Sequence, residues 1–360
     1  MTTAAPAAKP APKSVLRRTL IGAILVGLML VPVIIMVPLT VLGTGHIEAG
    51  TAASAPLATL ATLVAVVVGG RDLGLRVAIV MTILAPLAVV AGISPVSGAA
   101  LMAVMCLVVG FMSRYGLHRA GLLVPVLIAW PLICPPPWGA DPAVTRTDTS
   151  FLLWLALSYL VGGIVPVLIA PLLLRKAKLP APKPNPRKEA IVYTVIITVL
   201  TTIGTYYVLA HPSMYAGAFL IAAIMVLAPI GEAQPLRPTT IRVAGTVAGS
   251  VLVLLVMAAA HTLLMVYVLG LVFGVAAVAA KFRPRAWIYY VFMVPTTACL
   301  NAYAVPEVAS LGEQRIVDNI VGGVLVVLAS AAALGYAHLE AGRGNSTSER
   351  PAIAGQPETP

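Results

Sequence analysis

Lysine and arginine occupy every second polar connection between long apolar runs in this 360-residue chain, and that alternation limits the fold more than any other feature. Twenty-one of the 23 basic residues fall on one side, among them Arg71 and Arg76, Arg114 and Arg119, Arg237 and Arg242, and the Arg175–Lys188 stretch. Only Arg146 and Arg315 fall on the other. Basic charge resists translocation, so short Lys- and Arg-bearing loops stay in the cytoplasm. The pattern predicts twelve crossings with both ends of the chain cytoplasmic.

Composition agrees. Sixty per cent of residues are hydrophobic, 10% are charged and the mean hydropathy is +1.00, whereas a soluble domain carries about 25% charged residues. One crossing takes about 20 apolar residues, so twelve nearly use up the chain and leave no room for a soluble catalytic domain. The basic side sets 21 cations against six acidic residues, a balance of +15. The other side sets two against six, a balance of −4. Such asymmetry orients the protein and favours contact with anionic headgroups. It would also concentrate anions at a cytoplasmic mouth. No basic stretch is interleaved with aromatics, which argues against nucleic acid as a partner.

The predicted helices are Val15–Leu42, Ala55–Gly70, Leu73–Gly92, Ser97–Met112, Leu117–Cys134 and Ser150–Leu174, then Ala190–Ala210, Met214–Ile230, Thr239–Ala260, Thr262–Ala280, Ala286–Leu300 and Ile316–His338. The fold class expected is therefore all-α, a polytopic bundle of about twelve helices. Residues 1–14 and 339–360 read as disordered cytoplasmic ends. Residues 15–174 and 190–338 read as two six-helix units, joined by a basic, proline-rich cytoplasmic linker at 175–189. The Pro-Ala-Pro-Lys-Pro-Asn-Pro run in that linker cannot be helical, because proline lacks the amide donor and restricts its predecessor.

The two units overlay at an offset of 166 residues. Arg71 then meets Arg237, Arg76-Val77-Ala78 meets Arg242-Val243-Ala244, and Arg119-Ala120 meets Arg285-Ala286. This points to an internal duplication. With six helices each, the two copies would share one orientation, related by an axis along the membrane normal. Gly162-Gly163 and Gly322-Gly323 pair at a different offset.

Several residues are candidates for function. Gly245 and Gly249 lie four apart, on one helix face with Thr246 beside them, and would let a neighbouring backbone approach closely. Arg242 stands about one turn earlier, either snorkelling to the interface or aiming its fork at carboxylate oxygens in a crevice. Arg76 is its counterpart in the first unit. Arg146 and Arg315 defy the charge bias, and each precedes the last helix of its unit with an acid nearby, Asp148 and Asp318. These read as capped helix starts or as an outer constriction. Glu232, after Pro229-Ile230-Gly231, is a boundary residue or a coupling carboxylate. The substrate-binding candidates are thus Arg76, Arg242, Arg146 and Arg315. No acidic, basic or histidine residue falls at the middle of a predicted span, so no buried carboxylate relay is expected. No Gly-rich phosphate loop with Lys-Ser/Thr is present. Cys106, Cys134 and Cys299 have no metal spacing. No cofactor, metal or enzymatic activity is expected.

The stretch Met214–Val256, with Pro229 closing a small-residue helix and then Arg242-Val-Ala-Gly245-Thr246-Val-Ala-Gly249, resembles the FUSC family of fusaric-acid-resistance and aromatic-acid-exporter-like proteins. Arg315-Ile-Val-Asp-Asn-Ile-Val-Gly322 resembles the segment that opens that family's sixth helix. The resemblance spans most of 190–338 and is weaker in the first unit, where Arg76-Val-Ala-Ile-Val lacks the Gly-Thr. It implies a membrane permease exporting organic, often aromatic, carboxylates, and kinship with plant malate transporters in which two six-helix units flank an arginine-lined path. The large cytoplasmic domains of many aromatic-acid exporters are missing here.

The expected setting is an inner or plasma membrane. The expected partners are a small organic anion, the lipid bilayer, and a second copy of the chain or a periplasmic membrane-fusion protein. Two other readings remain. A major-facilitator transporter would also have six plus six helices, but Gly69-Gly70-Arg71-Asp72-Leu73-Gly74-Leu75-Arg76 echoes that family's loop only loosely. A non-transporting membrane scaffold would use the arginines for topology alone.

Overall fold

The computed structural model describes residues 12–45, 49–136, 146–174, 182–211, 217–228, 236–259, 262–281, 286–300, 317–318, 320–332 and 335. Among them every regular element is a helix. The first part of the chain forms α1 (Pro12–Thr44), α2 (Ala49–Ala91), α3 (Pro95–Ser113), α4 (His118–Gly121), α5 (Leu123–Ile133) and α6 (Thr149–Leu174). The second forms α7 (Arg187–Ala210), α8 (Ala218–Leu227), α9 (Leu236–Ala259), α10 (Leu263–Lys281) and α11 (Ala286–Leu300). A further apolar helical stretch covers Ile320–Ala332. Five helices are long and apolar enough to cross a membrane: those holding Gly27–Thr44, Gly50–Ala91, Pro95–Ser113, Thr149–Leu172 and Arg187–Ala210. Their outward faces carry large apolar side chains such as Ile34, Ile83, Leu153, Leu172 and Ile203, which suits a hydrocarbon surround and not water.

The predicted break between Ala55–Gly70 and Leu73–Gly92 is present: α2 is two helical limbs interrupted at Gly70, whose φ 81°, ψ −173° is not helical. Only glycine adopts that conformation without strain. The two limbs fold back on each other. A Cβ placed on Gly163 of α6 would lie 2.7 Å from Ala78 Cβ and 3.5 Å from Thr62 Oγ1, although a straight helix would hold residues 62 and 78 about 24 Å apart. Val66 and Gly74 likewise touch across the bend. Arg71 and Asp72 stand exposed at the tip. Each limb is then about the length of one span.

Small residues set the closest helix contacts. Gly162 of α6 packs on the backbone of Ala55, and its carbonyl accepts a 3.0 Å hydrogen bond from the Thr59 hydroxyl. In the C-terminal part, a Cβ on Gly322 would lie 2.7 Å from Ala223 Cβ on α8. The two parts of the chain join through α3 against α7, α5 against α8, and α1 against α10. One buried apolar cluster runs through both parts, with Met81, Met102, Cys106, Ile128 and Leu132 beside Tyr193, Ile197, Ile221 and Met225.

The linker end of the bundle is basic. α3 closes in a left-handed turn at Gly116 (φ 73°), where the Leu117 N–H reaches Met112 O at 3.1 Å and the Gly116 N–H reaches Ser113 O at 3.0 Å. This glycine-terminated cap satisfies carbonyls the helix leaves open. The linker packs on it: Asn185 Nδ2 donates to Ser113 O at 2.7 Å, and Gly116 lies against the Lys183 backbone. Arg114, Arg119, Lys183, Arg187 and Lys188 are all exposed at this end.

Candidate functional site

Three constructions hold the polar groups of interest. The first is on α9. A Cβ on Gly245 would lie 2.7 Å from Tyr290 Cβ and 2.9 Å from Trp287 O. A Cβ on Gly249 would lie 2.7 Å from Val291 O. The glycine face therefore sits on the backbone of α11, and Thr246 between them is buried. The contact sets the rotation of α9 and places Arg242 three residues before Gly245 in the same helix. The Arg242 side chain lies outside the described residues, as do Arg315 and Glu232.

The second is Arg146. Its Nη1 donates to Val89 O at 3.0 Å and Leu132 O at 3.1 Å, and its Nη2 donates to Ile133 O at 3.1 Å. These carbonyls lie in the last turns of α2 and α5, where a cation completes open acceptors and meets the negative end of the helix dipole. Gly92 leaves the space: a Cβ there would collide with Leu132 O and with the guanidinium. Burial pushes the Arg146 pKa down from its ordinary value, opposed by the neighbouring Cys134; arginine starts so high that it stays charged. Two residues on, Asp148 Oδ1 accepts from the Ser150 N–H at 2.7 Å and, more weakly, the Phe151 N–H at 3.4 Å. Asp148 is the N-cap of α6. Arg146 and Asp148 thus both serve helix ends. Asp318 is half-buried at a helical position ahead of Ile320.

Arg76 lies on the exposed side of α2, in line with Leu75, Ile79, Val80 and Ile83, which are 43–60% exposed. Among the described side chains Arg76 and Arg146 stand apart, since Arg146 binds at Val89, thirteen residues and about 20 Å along α2 from Arg76.

The third construction escaped the sequence reading. α7 carries Thr194, Thr198, Thr201, Thr202 and Thr205. Thr194 does what helical threonines ordinarily do and donates to a carbonyl one turn back, Ala190 O at 2.6 Å. Thr40, Thr44, Thr82 and Thr296 do the same elsewhere. The hydroxyls of Thr198, Thr201, Thr202 and Thr205 are all buried and have no hydrogen-bond partner among the described residues. Thr201 faces the Cys106 thiol of α3, a weak sulfur partner. Toward the linker end the Tyr193 hydroxyl and His118 Nδ1 are buried and partnerless too, their rings 6.0 Å apart. The readable signal was hydroxyls recurring at helical spacing in an apolar span.

Among the described residues no group of three or more His, Cys, Asp or Glu is placed to hold a metal. No family model, no curated protein and no solved structure matches the chain. What is established is an all-helical protein with several long apolar helices, the build of an integral membrane protein and compatible with a transporter.

Proposed function

We propose that this chain is a membrane permease of two duplicated six-helix units with cytoplasmic ends, and that it moves organic or aromatic carboxylates outward between them. Covalent chemistry plays no part in this reading. The observation that carries it is the reciprocal joining of the two parts of the chain. In a duplicated pair, α3 (fourth helix of its unit) against α7 (first of its unit) has α1 (first) against α10 (fourth) as its mirror, whereas α5 against α8 has no described α2–α11 counterpart. The last helices support the same reading, since Gly162 meets Ala55 and Gly322 meets Ala223, each on the second helix of its unit. A passage on that axis would run between the units.

The FUSC resemblance supplies the substrate class, and the seating of Gly245 and Gly249 on α11 gives its Arg242 a defined register. Arg242 is the residue we assign to the carboxylate, with Arg76 and Arg315 as attracting charge. Arg146 leaves the list of substrate ligands, because its donors are committed to helix-end carbonyls. Membrane potential, negative inside, favours anion exit by about 2.3 kcal/mol per charge per 100 mV.

The test is efflux of a labelled aromatic carboxylate from cells or proteoliposomes. Arg242→Gln should lower it about tenfold, the equivalent of one charge-assisted hydrogen bond. Arg242→Lys should be intermediate, because it keeps the charge and loses the fork. Unchanged efflux with normal insertion removes Arg242 from the route.

A further inference from the structure

Burying a hydroxyl without a hydrogen bond is unfavourable, and native proteins rarely tolerate it. Here four such hydroxyls recur on one helix at i, i+3, i+4 and i+7. At about 100° per residue they fall within a face about 100° wide and about 10 Å long. That face is the one turned to α3. Thr194 before it meets Gly110, and Leu209 after it meets Gly98. Thr201 and Thr205 are 0% exposed, and Tyr193 at the linker end is 1% exposed. Nothing about an α-helix forces these side chains to forgo the carbonyl one turn back, since Thr194 takes it. Their orientation leaves donors and acceptors directed into the contact between the helices.

The chemistry of a matching ligand follows from the surroundings. α3 and α8 carry no charged residue, and those of α7 are confined to Arg187, Lys188 and Glu189 at its start. A full charge among the threonines would lose its hydration and gain no counter-ion. A hydroxyl offers one donor and two acceptor positions, which fits a neutral molecule that itself donates and accepts. Water is the simplest such molecule, and buried water characteristically bridges polar groups of this kind.

We propose that the α3–α7 junction is a hydrated, hydroxyl-lined file that binds small neutral O–H-bearing molecules, with Thr198, Thr201, Thr202 and Thr205 along its length. The inference goes beyond the permease reading. It concerns access of water between the two parts of the chain, and it holds whether or not a carboxylate is the cargo.

The experiment has two arms, neither of which uses a substrate. In a chain with Cys106, Cys134 and Cys299 replaced by alanine, Thr202→Cys and Thr205→Cys are reacted in liposomes with a water-soluble methanethiosulfonate. Only a hydrated thiol ionises and reacts. Labelling should be at least tenfold faster than at Ile197→Cys, which is buried in the apolar cluster, and at Ile203→Cys on the outward face. If the cysteine-free chain does not fold, the same variants are labelled in the native background and the modified site is read by peptide mass spectrometry. In the second arm, Thr201→Val and Thr205→Val keep the side-chain shape and remove the hydroxyl. Water-bridged hydroxyls predict an unchanged or lower melting temperature. Dry, partnerless ones predict a higher one. Labelling as slow as at Ile197→Cys, or a raised melting temperature, overturns the proposal. Loss of transport in Arg242→Gln alters neither readout.

Discussion

The two parts of the chain meet through both α3–α7 and α1–α10, and these junctions are chemically unlike. α7 brings five threonines to its junction, four with hydroxyls that have no partner among the described residues. α10 contains neither serine nor threonine, and Thr40 and Thr44 of α1 spend their hydroxyls on carbonyls within α1. Helix packing in lipid needs small side chains and close contact, and the α1–α10 pair shows that an apolar set can meet that need in this fold. The hydroxyls of α7 are therefore surplus to architecture. A difference that packing does not demand is where function is to be sought.

The largest expected effect comes from forcing the polar junction apart. A Cβ on Gly110 already collides with Thr194, so Gly110→Leu should cost about 3 kcal/mol or more, read as a large fall in melting temperature or loss of monodisperse protein. Normal stability would mean that α3 and α7 are not held in close contact.

Arg146→Gln comes next. It removes a charged donor from three carbonyls at the ends of α2 and α5, at a cost of about 2–3 kcal/mol. Leu132, one of those acceptors, also lies near Gly98 at the far end of α3. Amide exchange should therefore rise at that end of α3–α7 and stay unchanged in α1–α10; an equal rise in both would separate Arg146 from the polar junction. Asp148→Ala should cost about 1 kcal/mol by uncapping α6, and Asp148→Asn should recover most of it in a thermal shift assay. Smallest is Gly27→Leu on α1, where a Cβ meets nothing within 4 Å. It should be neutral or stabilising by under about 1 kcal/mol, opposite in sense to Gly110→Leu. A large loss there would show that α1 is packed as tightly as α3.

The alternation of apolar runs and basic connections marked the described helices, though not a count of twelve crossings, because burial and charge are carried by single side chains. The break at Gly70 is legible between two predicted helices, yet its form, two limbs joined through one non-helical glycine, depends on a dihedral that residue type permits but does not dictate. Met214–Ile230 was expected as a helix, and the structure describes only Ala218–Leu227 within it; α8 closes at Ala228, ahead of Pro229, as the restriction on residues before proline favours. Arg146 was singled out for standing against the charge bias. Its partners are backbone carbonyls, which every residue owns, and no side-chain pattern could have announced them. The α7 threonines were plain in the sequence, but their neglect of the usual carbonyl is a matter of rotamer.

The break in α2 at Gly70 leaves no slack between its limbs. A single non-helical residue separates the outgoing limb from the returning one, with Arg71 and Asp72 exposed at the tip. Neither limb can slide along its own axis without dragging the other, so a movement of the bundle carries the two as one rigid hairpin.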